Sequence, residues 1–176
     1  MKLLIVTGMP GTGKEEFLNV AVRMGMPFIR MGDVVRDAYG SRGTGYKDVS
    51  VGKFAEEERK RYGYDVWAKR SLEKMYGHVF LVDGCRSMDE VNAFRSLSED
   101  VTIIAIHSSP EIRYERLVKR NRDDAPSTYG EFDERDEREI GWGLAKIIAL
   151  ADVNISNDST LEDFRALSES VLERIG

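Results

Sequence analysis

Five short, nearly unbroken apolar stretches space themselves along the chain, at residues 3–6, 28–30, 79–82, 101–106 and 153–155. Each is too short for a helix and lacks the alternation of a strand with one wet face, so each reads as a strand buried on both sides. Between most of them the apolar residues recur at intervals of three or four, as in Val91, Phe94 and Leu97 or Leu161, Phe164, Leu167 and Val171. That spacing places them on one side of a helix. Strands alternating with helices predict parallel crossover units and a sheet covered on both faces.

Punctuation residues set the boundaries. The first helix is expected from residue 13 to about 24, closed by Gly25-Met26-Pro27, a capping glycine followed by a breaker. Residues 39–46 hold Gly40, Gly43 and Gly45 and read as a mobile loop. Residues 51–75 read as helical with a break at Tyr62-Gly63-Tyr64-Asp65, where Asp65 is expected to cap the next helix. The run Glu56-Glu57-Glu58-Arg59-Lys60-Arg61 is expected to be a solvated face with i,i+4 pairs Glu56/Lys60 and Glu57/Arg61. Trp67 is expected in the core, and Ser159 or Thr160 caps the terminal helix.

Composition narrows the class. The chain has 176 residues, 41% apolar and 32% charged, enough for one domain with a two-sided core. A formal charge of −5 argues against a general nucleic-acid surface. The single cysteine, Cys85, allows neither an internal disulfide nor a cysteine zinc site. No stretch approaches the ~20 apolar residues of a membrane span, and the apolar start is too short for a signal peptide core. The expectation is a cytoplasmic protein with no nucleic-acid and no membrane partner.

Chemistry concentrates where the first strand ends. Gly8-Met9-Pro10-Gly11-Thr12-Gly13-Lys14 has the spacing Gly-x-x-x-x-Gly-Lys immediately after a strand. Such glycines let successive backbone N–H groups face inward around phosphate oxygens, with the following helix dipole adding positive potential and the lysine reaching the β- and γ-phosphates. The Ser or Thr that usually follows the lysine is replaced by Glu15, with Glu16 next. Asp83 closes the third strand, where ligands bind in open parallel sheets, and is the expected orderer of Mg²⁺ or its waters. Arg113, Arg116, Lys119, Arg120 and Arg122 form a basic stripe on one helix and its end, with Arg116 and Arg120 sharing a face. Residues 122–130 read as a short lid hinged at Pro126 and Gly130, and Arg135 and Arg138 follow on the returning helix.

In order, Gly8-x-Pro10-Gly11-x-Gly13-Lys14, Gly32-Asp33-x-x-Arg36, Asp83-Gly84-x-Arg86 and Arg116-x-x-x-Arg120 resemble adenylate kinase and its relatives, the nucleoside monophosphate kinases. That family has a small residue and then a threonine after the lysine, so Glu15-Glu16 departs from it. Residues 151–161 are similar to the last strand and loop of dephospho-coenzyme A kinases, and the mixture resembles an archaeal group of nucleotide-kinase-related proteins. The resemblance implies a three-layer P-loop kinase fold: a five-stranded parallel sheet in the order 2-3-1-4-5, helices on both faces and a short helical lid. It also implies one domain over 1–176, with an acceptor-binding helical segment at 33–76 and the lid at 121–137.

The resemblance implies residue roles as well. Residues 8–14 and Glu15 hold ATP, Asn157 contacts the adenine, and Asp83 serves the metal. Arg36 and Arg86 bind the acceptor, and Arg116 and Arg120 act with Lys14 on charge in transit. Asp33 is the expected acid that positions or deprotonates an acceptor hydroxyl. The expected reaction is transfer of the γ-phosphate of ATP, with Mg²⁺, to a nucleoside monophosphate-like acceptor, by a monomer or homodimer. The alternatives are transfer to a ribose hydroxyl, as in dephospho-coenzyme A kinases, or an ATP-hydrolysing switch.

Overall fold

The computed structural model describes residues 1–41, 50–75, 78–120 and 125–176. Five parallel strands form its sheet: β1 (Lys2–Thr7), β2 (Phe28–Arg30), β3 (Val79–Asp83), β4 (Val101–His107) and β5 (Val153–Ser156), in the order β2-β3-β1-β4-β5. All four pairings are parallel, as the unbroken apolar runs predict. Successive β1 side chains alternate between two cores. Leu3 and Ile5 join Trp67, Phe80, Val82, Phe94 and Ile147 on one side, while Leu4 and Val6 join Phe17, Leu18, Ile106, Phe164 and Leu172 on the other.

The helices are α1 (Lys14–Arg23), α2 (Met31–Gly40), α3 (Val51–Tyr62), α4 (Val66–Leu72), α5 (Met88–Arg95), α6 (Pro110–Arg120), α7 (Tyr129–Gly141), α8 (Leu144–Ala149) and α9 (Leu161–Ile175). α1 and α9 pack on one face of the sheet, and α2 to α5 with α8 cover the other. Among the described residues no helix is long and apolar enough to cross a membrane. β1 lies between β3 and β4, with its first connections running toward β2 and β3, so the crevice at its C-terminal end is where open sheets bind ligands.

Several local expectations need correction. Tyr39 and Gly40 belong to α2 rather than to a loop, and residues 42–46 of that expected loop lie outside the described residues. Asp65 occupies the capping position of α4, but its carboxylate pairs with Lys69 at 2.8 Å instead of capping the backbone. The charged run of α3 is not simply solvated. Glu56 and Lys60 pair at 2.7 Å, but Glu58, 3% exposed, binds Arg70 at 2.6 Å, and Arg59 binds the fully buried Glu90 at 3.1 Å. Helices α4 and α5 pack against that face and turn its charges inward. Leu97, Leu161 and Leu167 are exposed, and the inner stripe of α9 runs through Phe164, Ser168, Val171 and Leu172. Thr160 is the residue that caps α9.

Trp67 lies wholly inside, with its ring centroid 5.8 Å from that of Phe54 and its indole N–H donating to the Ala55 carbonyl at 3.1 Å. Trp67→Ala therefore removes a large buried ring and is expected to lower stability by about 3–5 kcal/mol. Urea unfolding checks this, and a loss under about 1 kcal/mol, the range of surface substitutions, contradicts the packing described.

Candidate active site

The loop between β1 and α1 is built from residues that accept a sharp bend. Gly8 and Gly13 have φ of 146° and 98°, where side chains are rarely tolerated. A Cβ on Gly8 would strike the Ile106 carbonyl, and one on Gly13 would strike the Asn157 amide. Backbone and side chains from distant elements then pin the bend. Asn157 donates from Nδ2 to the Thr12 carbonyl at 2.8 Å, and Arg113 donates from Nη1 to the Pro10 carbonyl at 3.1 Å.

Lys14 opens α1 and turns back over the loop, its Nζ donating to the Gly8 carbonyl at 2.6 Å and the Met9 carbonyl at 3.2 Å. Burial pushes its ammonium pKa down, opposed by the charges of Asp83 and Glu139. The backbone N–H groups of Gly11, Gly13 and Lys14 find no hydrogen-bond acceptor among the described residues. Free donors curled at a helix N-terminus, with a cationic side chain alongside, make an anion cradle.

A cavity of about 630 Å³ opens over this loop. Its floor includes Thr7 at the end of β1 and Asp83 at the end of β3, and Val6 pairs with Asp83 across the strands. Thr7 Oγ1 and Asp83 Oδ1 are buried with no hydrogen-bond partner. Burial pushes the Asp83 carboxyl pKa up, and the cations Lys14, Arg30 and Arg86 oppose that rise. Orphaned oxygens are costly in a folded interior, and here both are hard donors beside an anion cradle. Among the described residues no three His, Cys, Asp or Glu side chains group to hold a metal. The fit is therefore to a hydrated ion such as Mg²⁺, held through one carboxylate, waters and a ligand's phosphates.

Charged side chains line the rest of the cavity. Arg86 follows β3, its Nε donating to Glu139 Oε2 at 3.1 Å, its backbone N–H to Glu90 Oε2 at 2.7 Å, and its guanidinium lying 5.3 Å from the Trp142 ring. Arg36 also lines it, paired with Asp33, whereas Asp33 itself is exposed and does not line the cavity. Arg116 and Arg120 reach it from α6 and Arg135 from α7. Arg116 donates to Ser108 Oγ at 3.0 Å and to the Asn157 carbonyl at 2.9 Å. Glu15 lines the cavity beside Arg30, 3.7 Å away, while Glu16 is held by Arg165 at 2.6 Å.

Of the residues named from sequence, the structure gathers Gly8, Pro10, Gly11, Gly13, Lys14, Glu15, Arg36, Asp83, Arg86, Arg116 and Arg120 around one space. Met9 and Thr12 belong to the same loop without lining it, and Thr12 Oγ1 donates to the Met9 carbonyl at 3.0 Å. Asn157 is buried and does not line the cavity, and its side chain is a tie to the loop. Gly130, expected as a hinge, sits in the first turn of α7, and residues 121–124 of the expected lid lie outside the described residues. Arg138 lies 6.0 Å from the Trp142 ring and away from the cavity. Cys85 is buried against Met31, where burial pushes its thiol pKa well up, so it is no thiolate nucleophile.

Sequence reasoning missed Arg30, Glu139 and the inward role of Arg113, whose guanidinium binds both Pro10 and Asp136. A signal existed for Glu139: Phe132, Asp136 and Glu139 fall at i, i+4 and i+7, on the buried side of α7.

Comparison with known proteins gives concordant results. The AAA domain family matches residues 4–140. A UPF0200 protein of Thermoplasma acidophilum is 42% identical, covering 97% of this chain and 94% of its own length. Another, from Hyperthermus butylicus, is 39% identical, covering 98% of this chain and 94% of its own. Among solved structures, TT1252 from Thermus thermophilus superposes with a TM-score of 0.64 at 15% identity, covering 99% of this chain and 98% of that one. Shikimate kinase from Bacteroides thetaiotaomicron gives 0.61 at 14% identity, covering 98% of each. The expected P-loop kinase fold, with its 2-3-1-4-5 sheet, is borne out.

Asn157→Ala leaves the Thr12 carbonyl without its donor and opens space beside Gly13. Stability is expected to fall by about 1–3 kcal/mol, the cost of an unsatisfied buried acceptor. Chemical denaturation measures it, and an unchanged midpoint would show that the β5 loop does not brace this bend.

Proposed function

The chain belongs to the UPF0200 protein family and to the AAA domain family, and we propose that it is a phosphotransferase that moves the γ-phosphate of ATP to a small nucleoside-like, phosphorylated acceptor. The observation that carries this reading is the half-buried Lys14 ammonium resting on the carbonyls of its own glycine loop, in one cavity with the orphaned oxygens of Thr7 and Asp83. A polyphosphate gives the ammonium a charged partner in place of those carbonyls and meets the unengaged loop amides. Mg²⁺, when bound, neutralises charge on the phosphates.

The chain's own residues divide the work. Residues 8–14 wrap the donor phosphates, and Lys14 supplies a fixed positive charge beside them. Asp83, aided by Thr7, orients the hydrated cation. Arg116 and Arg120 approach from α6, where they stabilise charge that spreads over the transferred group. Arg36 and Arg86 hold the acceptor, so α2 and the loop after β3 form the acceptor side, and α7 borders the cavity with Arg135 and Glu139. Asp33, exposed and closed on Arg36, orients that arginine. Where the acceptor's attacking atom is a ribose hydroxyl instead of a phosphate oxygen, one observation favours it: both acceptor arginines already carry a carboxylate partner.

Calorimetry with ATP and Mg²⁺ tests the reading. Wild-type protein is expected to bind, and Lys14→Ala to weaken binding about tenfold or more, as loss of a charge-assisted hydrogen bond of roughly 1.5–3 kcal/mol implies. Wild-type affinity in Lys14→Ala would remove the proposed donor site. Asp83→Asn is expected to retain nucleotide binding while losing its enhancement by Mg²⁺, read in the same titrations with and without the metal. Tight binding with neither transfer nor hydrolysis would mark a switch instead.

A further inference from the structure

Glu139 sits on α7 with its side chain 10% exposed, yet it lines the same cavity as Lys14, Asp83 and Arg86. Its Oε2 accepts from Arg86 Nε at 3.1 Å, and Oε1 has no hydrogen-bond partner among the described residues. Its placement is fixed from two sides. One turn earlier Asp136 binds the buried Arg113 at 2.9 Å, and Phe132 packs its buried ring against Tyr114 and Tyr129. Asp33, the acid that motif order puts forward for a proton-accepting role, lies outside the cavity.

We propose that Glu139 receives a proton from the acceptor, so that the atom phosphorylated is a hydroxyl oxygen and the product a phosphomonoester. This deepens the phosphotransferase reading above and rests on it.

The electrostatics favour a neutral attacking group. A phosphate dianion brought to Arg86 as nucleophile would be pressed against a carboxylate already bound to that guanidinium, and like charges at such range in a partly buried site repel strongly. An alcohol meets the same carboxylate as a hydrogen-bond donor. As the oxygen of the alcohol bonds to the γ-phosphorus, the bond from that phosphorus to the bridging oxygen breaks, and its electron pair leaves with ADP. The hydroxyl proton passes to Glu139 and from there to solvent. Arg86 keeps the carboxylate aimed, and Asp83 remains on the metal side of the cavity.

The test uses the full chain with Mg·ATP and either AMP or dephospho-coenzyme A, with products read by phosphorus NMR and ATP affinity by calorimetry. Glu139→Gln preserves the shape and still offers an oxygen to Arg86. The expected product is a phosphomonoester, and Glu139→Gln slows its formation roughly 10²–10⁴-fold with ATP affinity unchanged. Glu139→Asp, whose carboxylate is set back, falls between. If neither compound is phosphorylated, water takes the place of the alcohol as proton donor to Glu139 and inorganic phosphate replaces the phosphomonoester: ATP hydrolysis that falls in the same way in Glu139→Gln supports the proton-accepting role, and hydrolysis unchanged overturns it. A phosphoanhydride product, or Glu139→Gln turning over as fast as wild type, also overturns it while leaving the kinase reading intact. Failure of the wild-type chain to bind ATP, or bound ATP neither transferred nor hydrolysed, overturns the kinase reading itself and this proposal with it.

Discussion

The bend between β1 and α1 is the constraint on which the rest depends. Its glycines adopt backbone conformations that leave no room for side chains, and Lys14 rests half-buried on the loop's own carbonyls. A loop this curled is not self-supporting. It is held from outside by Asn157 after β5 and Arg113 on α6, residues brought to it by the parallel sheet. Parallel pairing places the C-terminal ends of β1, β3 and β4 side by side, so the anion cradle, Asp83 and the base of α6 converge without any long excursion of the chain. The fold is thus a way of delivering donors from separate segments to one small volume.

Charge in the packed parts of the fold is arranged in pairs. Arg113 holds Asp136, Arg86 holds Glu139, Arg59 holds Glu90 and Arg70 holds Glu58. Buried pairs of this kind stabilise little on balance, because desolvation offsets attraction, but breaking one leaves a stranded charge. Their effect is to fix orientation. Glu90 ties α3 to the backbone of the loop carrying Arg86, and α7 is fastened to both the glycine loop and Arg86. The segment that carries Glu139 is therefore in register with the glycine loop proposed to hold phosphate, which is the preorganisation that phosphoryl transfer would need.

Much of this was legible in the residue string. Residues 3–6 and 101–106 read as strands buried on both faces, and so they are, and the loop spacing with its lysine pointed to the bend that lines the cavity. Asp83 was legible because a strand's end is a fixed place in such a sheet. Less legible were the side chains whose role depends on what packs against them. Glu58 and Arg59 read as part of a solvated run because helical periodicity alone does not tell which face α4 and α5 will cover. Asp33 had the right motif neighbours, but one helical turn points it to solvent beside Arg36. Asn157 was named for its place in the loop after β5, but that its side-chain amide braces the Thr12 carbonyl beside Gly13 depends on a close approach the residue order does not reveal. Glu139 was one carboxylate among many on a highly charged helix, and only the docking of α7 singles it out.

Amide hydrogen exchange of the glycine loop, with and without Mg·ATP, tests the central claim most directly. The N–H groups of Gly11, Gly13 and Lys14, which lack acceptors among the described residues, should exchange readily in the free protein and become protected when phosphate oxygens occupy the bend. Exchange at these amides that is equally fast with saturating Mg·ATP would contradict the account, because the loop would then not be what encloses the nucleotide.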